Sequence, residues 1–470
     1  MNAPLVGQAL RRVEARTKVT GATRYASDRL PHGCAHAVLV TATVAKGRIA
    51  VLDTGAARRV PGVLHVMTHK ERRPAIHPVV LEMELTFGRR THEDMPPLQG
   101  ADIHYSGQVV AMVTAETPEA ARHAASLVQV AYEAEPSTVV PDFTAAMPGA
   151  IHIPKVKGED TDQVHGDPET ELAASACTVD GLYTTPAEHH AAMELHAKVA
   201  EWQGDSLVMH EATQWVRGTG RALAQALGVP DDKVRLLNPF VGGGFGGKAY
   251  FRYDSALCAI AARDLGRPVK LVLSREQVFV LGGARPATRQ RVALGADASG
   301  RLRAVIHDSW TAVSTVDTNY QETCGYQTRQ LYATRALRTT HRVVPFDIAS
   351  TCPMRAPGSG PGSFAVESAM DRAGVPAGDR PGRAEAAQLR RAGAGHGPPV
   401  LPQAPARLLR HRRRTHRLAV AQPAAGRPAR GRLAGRAGHG DGELRCPAAQ
   451  GARPGGGAAR RDGAVLDGGE

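Results

Sequence analysis

Short runs in which apolar and polar positions alternate dominate the first third of the chain, and helical spacing interrupts them at few places. Residues 36–43 and 49–52 predict two strands around the turn Lys46-Gly47-Arg48. Asp53 and Thr54 are good helix-capping types, and Pro61-Gly62 stops the short helix they begin. Strands follow at 63–68 and 109–115, the second opened by Tyr105-Ser106-Gly107-Gln108, with 69–99 read as loop. Thr117 caps a predicted helix over 118–125, and 128–133 closes the set as a strand. Residues 13–135 thus read as one α/β unit, and 136–149 as a linker.

A second unit is expected over 150–371. Strand character appears at 176–183, 199–202, 206–210, 234–241, 269–273, 292–295, 302–306 and 341–348. Residues 215–227 are helical up to Gly228 and Pro230. Tyr253, Ala256, Leu257, Ile260 and Ala261 predict a buried helical face within 249–265. Met354-Arg355-Ala356-Pro357-Gly358 is a rigid turn, and 363–371 starts a further helix. Runs of strands with segregated helices make the expected class α+β.

Between the strand at 234–241 and the helix at 249–265 lies Gly242-Gly243-Gly244-Phe245-Gly246-Gly247-Lys248. Glycines allow positive φ and clear side chains from a ligand's path. A helix start adds free N–H donors and the positive end of its dipole. The pattern therefore points to an anionic, phosphate-bearing ligand. It fits G-x-G-x-x-G, with Asp264 as a ribose acid. It also fits G-x-x-x-x-G-K, although Ala249 stands where a nucleotide loop needs Ser or Thr. A purely structural glycine turn is the third reading.

The formal charge of +13 invites a nucleic-acid partner until it is located. Residues 372–470 hold 19 arginines, no lysine and 7 acidic residues, so nearly all the excess sits there. That segment also lacks Ile, Asn, Phe, Tyr, Met, Trp and Ser, and has one threonine, Thr415. Arg, Ala, Gly and Pro are the products of GC-rich codons, so the segment reads as an out-of-frame, disordered tail. The alternative is a basic tail that binds polyanions without catalysis. None of Cys34, Cys177, Cys258, Cys324, Cys352 and Cys446 has C-x-x-C spacing, so no iron–sulfur or zinc cluster is expected on this chain. His189, His190, Glu194 and His196 lack the H-E-x-x-H spacing and are read as surface or packing residues. No apolar run is long enough to span a membrane, and residues 1–12 lack the apolar core of a signal peptide.

Taken together, the motifs resemble the molybdenum-binding subunit of the xanthine dehydrogenase/aldehyde oxidoreductase family. They are Lys18-Val-Thr-Gly-Ala22, Tyr183-Thr-Thr-Pro186, Ala212-Thr-Gln214, Pro239 through Lys248, Gly266-Arg-Pro-Val-Lys270 and Met354-Arg-Ala-Pro-Gly358 before Glu367-Ser-Ala-Met370. The resemblance covers about 10–371 and is nearest the aldehyde-oxidising branch. It implies a hammerhead-like domain at 13–135 and the first half of a molybdopterin-binding domain at 150–371. It also implies molybdopterin cytosine dinucleotide, whose dithiolene, and no side chain, holds the molybdenum. Gln214 would hydrogen-bond an oxygen ligand of the metal. Gly243 and the backbone N–H groups of Gly244, Phe245 and Gly246 would line the cofactor, with Arg355 and Ala356 as a second rim. Iron–sulfur clusters and FAD would sit on partner subunits.

Two departures qualify the resemblance. Purine-oxidising members carry Glu directly after the loop lysine; Ala249 here points instead to aldehydes, oxidised to carboxylic acids with water as oxygen source. The family's general-base glutamate lies in the second half and has no counterpart in 1–371, so this polypeptide is expected to be inactive as written. A cytoplasmic location is the default, with co-export beside a signal-bearing partner as the alternative.

Overall fold

The computed structural model describes residues 9–71, 74–80, 95–139, 141–156, 158–317, 320–374 and 444–445. Its first sheet has seven strands in the order Val234–Leu237, Ser206–Glu211, Ala197–Gln203, Val269–Val272, Ala35–Thr41, Val109–Ala115 and Val63–Thr68. Strands from both sequence units therefore share one sheet. The join is the parallel pairing of Ala35, His36 and Ala37 with Val269, Lys270 and Leu271. Arg267 reinforces it, with a bidentate pair to Glu116 at 2.9 Å for both bonds and a bond from Nε to the Gly33 carbonyl at 2.6 Å. The strand Val109–Ala115 is buried at every position, as expected for a strand covered on both faces.

A second sheet runs Gln163–His165, Ala336–Phe346, Leu302–Ser314, Thr288–Ala296 and Cys177–Thr185. The two-residue strand Leu444–Arg445 adds to its edge against Val179 and Thr178. The rest of the tail expected to be disordered lies outside the described residues, as does most of the loop expected over 69–99. Helix Ser359–Gly374 packs on this sheet and carries the periodic pattern past Asp371, where the composition changes.

Helix Asp254–Leu265 is the centre of the main core. Every residue from Asp254 to Ala262 is buried against Ala197–Gln203 and Val269–Val272, and the Trp202 indole donates to the Ala259 carbonyl at 2.8 Å. Fully burying side chains such as Leu257 and Ile260 stabilises the fold by about 1.5–3 kcal/mol each. Gly266 ends the helix in the left-handed conformation at φ 62°, as Gly228 ends Val216–Leu227 at φ 65°. Among the described residues no helix is long and apolar enough to cross a membrane.

Candidate functional site

The glycine run follows a shorter strand than the pattern predicts, Val234–Leu237, and the helix after it begins at Asp254. Five residues, 249–253, separate Lys248 from the helix. The helix N-terminus therefore does not form the loop, and the dipole argument for anion binding does not apply. Asp264 also falls away from it, in the helix's last turn, with an oxygen 3.8 Å from His65. The loop makes its donors another way. Gly243, Phe245 and Gly246 have positive φ of 96°, 54° and 111°, which turns successive N–H groups to one side. Left-handed φ at Phe245 is strained, a cost of about 1–3 kcal/mol that surrounding contacts must offset. The residue is 48% exposed.

Gln214 supplies part of that compensation. Its Oε1 accepts from the N–H of Gly246 at 2.9 Å and of Lys248 at 3.3 Å, while its own N–H donates to the Lys248 carbonyl at 2.7 Å. Two backbone donors on Oε1 fix the amide orientation. Nε2 is thereby left to donate outward from an exposed side chain. A Cβ on Gly244 would stand 2.4 Å from that Oε1, so only glycine permits the approach.

The second turn docks on the first. Arg355 donates its N–H to the Phe245 carbonyl at 2.8 Å, and the His190 ring nitrogen Nε2 lies 2.8 Å from the Pro353 carbonyl. Ala356 has φ 61°, a second strained non-glycine residue at the same place. Among the described residues, the N–H groups of Gly243, Gly244, Phe245 and Ala356 donate to no protein acceptor. The Gly246 N–H, expected to face the cofactor, instead donates to Gln214 Oε1, and the Arg355 N–H, expected in the second rim, instead donates to the Phe245 carbonyl and so joins the two turns.

Sequence reasoning missed what anchors these turns. Lys248 is buried, with Nζ 2.8 Å from Glu194 Oε2 and 3.0 Å from the Glu194 carbonyl, so it cannot reach a phosphate as a nucleotide-loop lysine would. Arg285 sits under the second turn, donating to the carbonyls of Met354 and Arg355 and lying 3.2 Å from buried Glu322. The one signal for Lys248 was the missing Ser or Thr after it. His189 stacks edge-on against Phe279, and His196 is buried and held well below its usual pKa by desolvation. Among the described residues no group of three or more His, Cys, Asp or Glu is placed to hold a metal ion.

Behind Gln214, Glu211 is fully buried beside the Lys198–Asp254 ion pair and accepts from Ser255 Oγ at 2.8 Å. Desolvation pushes its carboxyl from 4.5 to about 7. In the unfolded chain the group ionises near 4.5, so its contribution is fully present below that pH and is lost as pH rises to 7. We expect Glu211→Gln to remove a decline of about 3 kcal/mol between pH 4.5 and 7, read from urea midpoints of both chains across that range.

The donor set fits an anionic group bearing oxygens: unpaired N–H groups and an amide Nε2 occur together on exposed residues of the two docked turns, Phe245 and Ala356, and on Gln214 bonded to the first of them. Comparison with known proteins agrees. Residues 152–378 match the molybdopterin cofactor-binding domain, and 20–136 match the aldehyde oxidase and xanthine dehydrogenase a/b hammerhead domain. The aldehyde oxidoreductase molybdenum-binding subunit PaoC of Escherichia coli is 36% identical over 381 residues, 80% of this chain and 49% of that one. The putative xanthine dehydrogenase molybdenum-binding subunit XdhA of the same species is 28% identical over 79% of this chain and 50% of its own length. The aldehyde oxidoreductase structure from Desulfovibrio gigas superposes with a TM-score of 0.73 at 25% identity, covering 87% of this chain and 46% of that one. The chain spans about half the length of the curated relatives it matches.

Proposed function

Since the chain belongs to the xanthine dehydrogenase/aldehyde oxidoreductase family of molybdenum-binding subunits, we propose that it forms the molybdopterin-binding part of an oxidoreductase that converts aldehydes to carboxylic acids. The carrying observation is that Gln214 Oε1 is held by Gly246 and Lys248, which leaves Nε2 to donate at a loop where the N–H groups of Gly243, Gly244 and Phe245, with that of Ala356 on the docked second turn, have no partner among the described residues. When bound, a molybdenum pterin supplies the redox centre and the activation of water. The chain's own part is positioning and electrostatics. Gln214 donates a hydrogen bond from a preset amide, and the loop donors sit where negative charge is held, so neither must reorganise during reaction. Phe245, exposed at the loop, would cover one side of the group and shield it from bulk water.

Arg355, exposed beside the second turn, supplies positive charge for a phosphate or for the cytosine dinucleotide form of the cofactor. Ala249, uncharged after the loop lysine, supports aldehydes over purines. Iron–sulfur and FAD subunits would carry electrons away. Assembled with a polypeptide that supplies the second half of the molybdopterin-binding region, the complex should reduce an artificial electron acceptor with aromatic or aliphatic aldehydes and not with hypoxanthine. Turnover of hypoxanthine alone would reverse the assignment.

A further inference from the structure

The glycine run is tied at both ends by one residue outside it. Glu194 Oε2 accepts from the N–H of Gly242 at 2.7 Å and from Lys248 Nζ at 2.8 Å. The Glu194 N–H donates to the Gly242 carbonyl at 3.1 Å, and Lys248 Nζ donates back to the Glu194 carbonyl at 3.0 Å. First and last residues of the run are thus joined through a single carboxylate, which closes it into a ring. The approach leaves no room at Gly242, where a Cβ would stand 2.5 Å from that of Glu194. The two side chains are 4% and 1% exposed.

The second turn repeats the arrangement with different residues. Glu322 is buried, and its Oε1 accepts from the N–H of Gly358 at 2.7 Å while lying 3.2 Å from Arg285 Nε. Arg285 Nη2 donates to the carbonyls of Met354 and Arg355, and Nη1 pairs with Glu188 at 2.8 Å. Tyr320 OH occupies the other Glu322 oxygen. Each rim of the site therefore rests on a buried carboxylate–cation pair that grips its backbone. Such pairs contribute little net stability, because desolvation offsets their attraction; what they fix is geometry.

We propose that Glu194–Lys248 and Glu322–Arg285 are positioning pairs that hold the two rims in their strained, donor-presenting shapes. The idea rests on the cofactor reading of the site, and its direct readout does not. Amides of Gly242 and Gly247 are hydrogen-bonded within the closed ring, and those of Gly246 and Lys248 to Gln214 beside it, so all four report its opening. The double variant Glu194→Gln/Lys248→Met leaves no uncompensated buried charge, so it keeps the fold while losing the tie. Hydrogen exchange of the full chain should quicken about tenfold or more in 242–248, with helix Asp254–Leu265 unchanged. In protein isolated from a host that makes the cofactor, molybdenum per chain should drop in the double variant relative to wild type. Unchanged exchange in 242–248, or loss of protection in loop and helix together, overturns the proposal. Absence of molybdenum from wild type sinks the cofactor reading alone and leaves the exchange data to judge the ties.

Discussion

Gly246→Ala should unfold at far lower urea than wild type, by about 2–5 kcal/mol. Two independent costs add there. At φ 111° an L side chain is strained, and a Cβ would stand 2.0 Å from the Pro353 carbonyl and 3.2 Å from Met354 Cα. The carbonyl belongs to backbone that Arg285 and His190 already grip, so it cannot move aside cheaply. Gly300→Ala is the control: φ is 80°, but nothing lies within 4 Å of the added carbon. Its cost should stay near 1 kcal/mol, the conformational part alone. Equal midpoints for the two variants would show that the two turns are not packed together.

The second large effect separates the loop from the ligand. Gln214→Glu keeps an oxygen to accept from Gly246 and Lys248, so the melting temperature should change little. It replaces the outward amide donor with an anion facing an anionic cofactor. Molybdenum affinity should fall about 10- to 100-fold, the usual loss when a hydrogen bond next to a metal centre is removed. Metal content measured beside thermal denaturation checks this. Equal occupancy in both chains would remove Gln214 from the cofactor's surroundings.

Much of the architecture was legible because alternation is a local signal. The strands Val63–Thr68 and Val109–Ala115 and the helix Pro118–Ser126 begin and end within a residue of their expected positions. What alternation cannot reveal is partnership. Nothing in residues 35–41 or 269–272 announces that they pair in parallel, so two sequence units conceal one sheet. Strands Thr288–Ala296 and Leu302–Ser314 run longer than expected because His307, Gln290 and Thr311 are polar yet buried, and His307 is satisfied by residues distant in sequence, Thr328 at 2.7 Å and Gln290 at 3.0 Å.

The site divides the same way. Gln214 and the turns at 243–246 and 355–356 could be found from residue types that a family shares. The helix start at Asp254 could not, because residues 249–253 keep enough apolar character to prolong the pattern. Nor could the roles of individual N–H groups, since which amide is free depends on packing between turns more than a hundred residues apart. Arg285 and Glu322 looked like ordinary charged residues, and Glu194 stood out only as a member of the histidine cluster; burial and partners distinguish all three.

The account is tested most directly by metal and pterin analysis of the protein purified from its native host. It predicts molybdenum and a pterin together in near-equal amounts, lost in parallel from Gln214→Glu. Protein that carries an adenine nucleotide at the glycine turn, or wild type with neither molybdenum nor pterin, would contradict it.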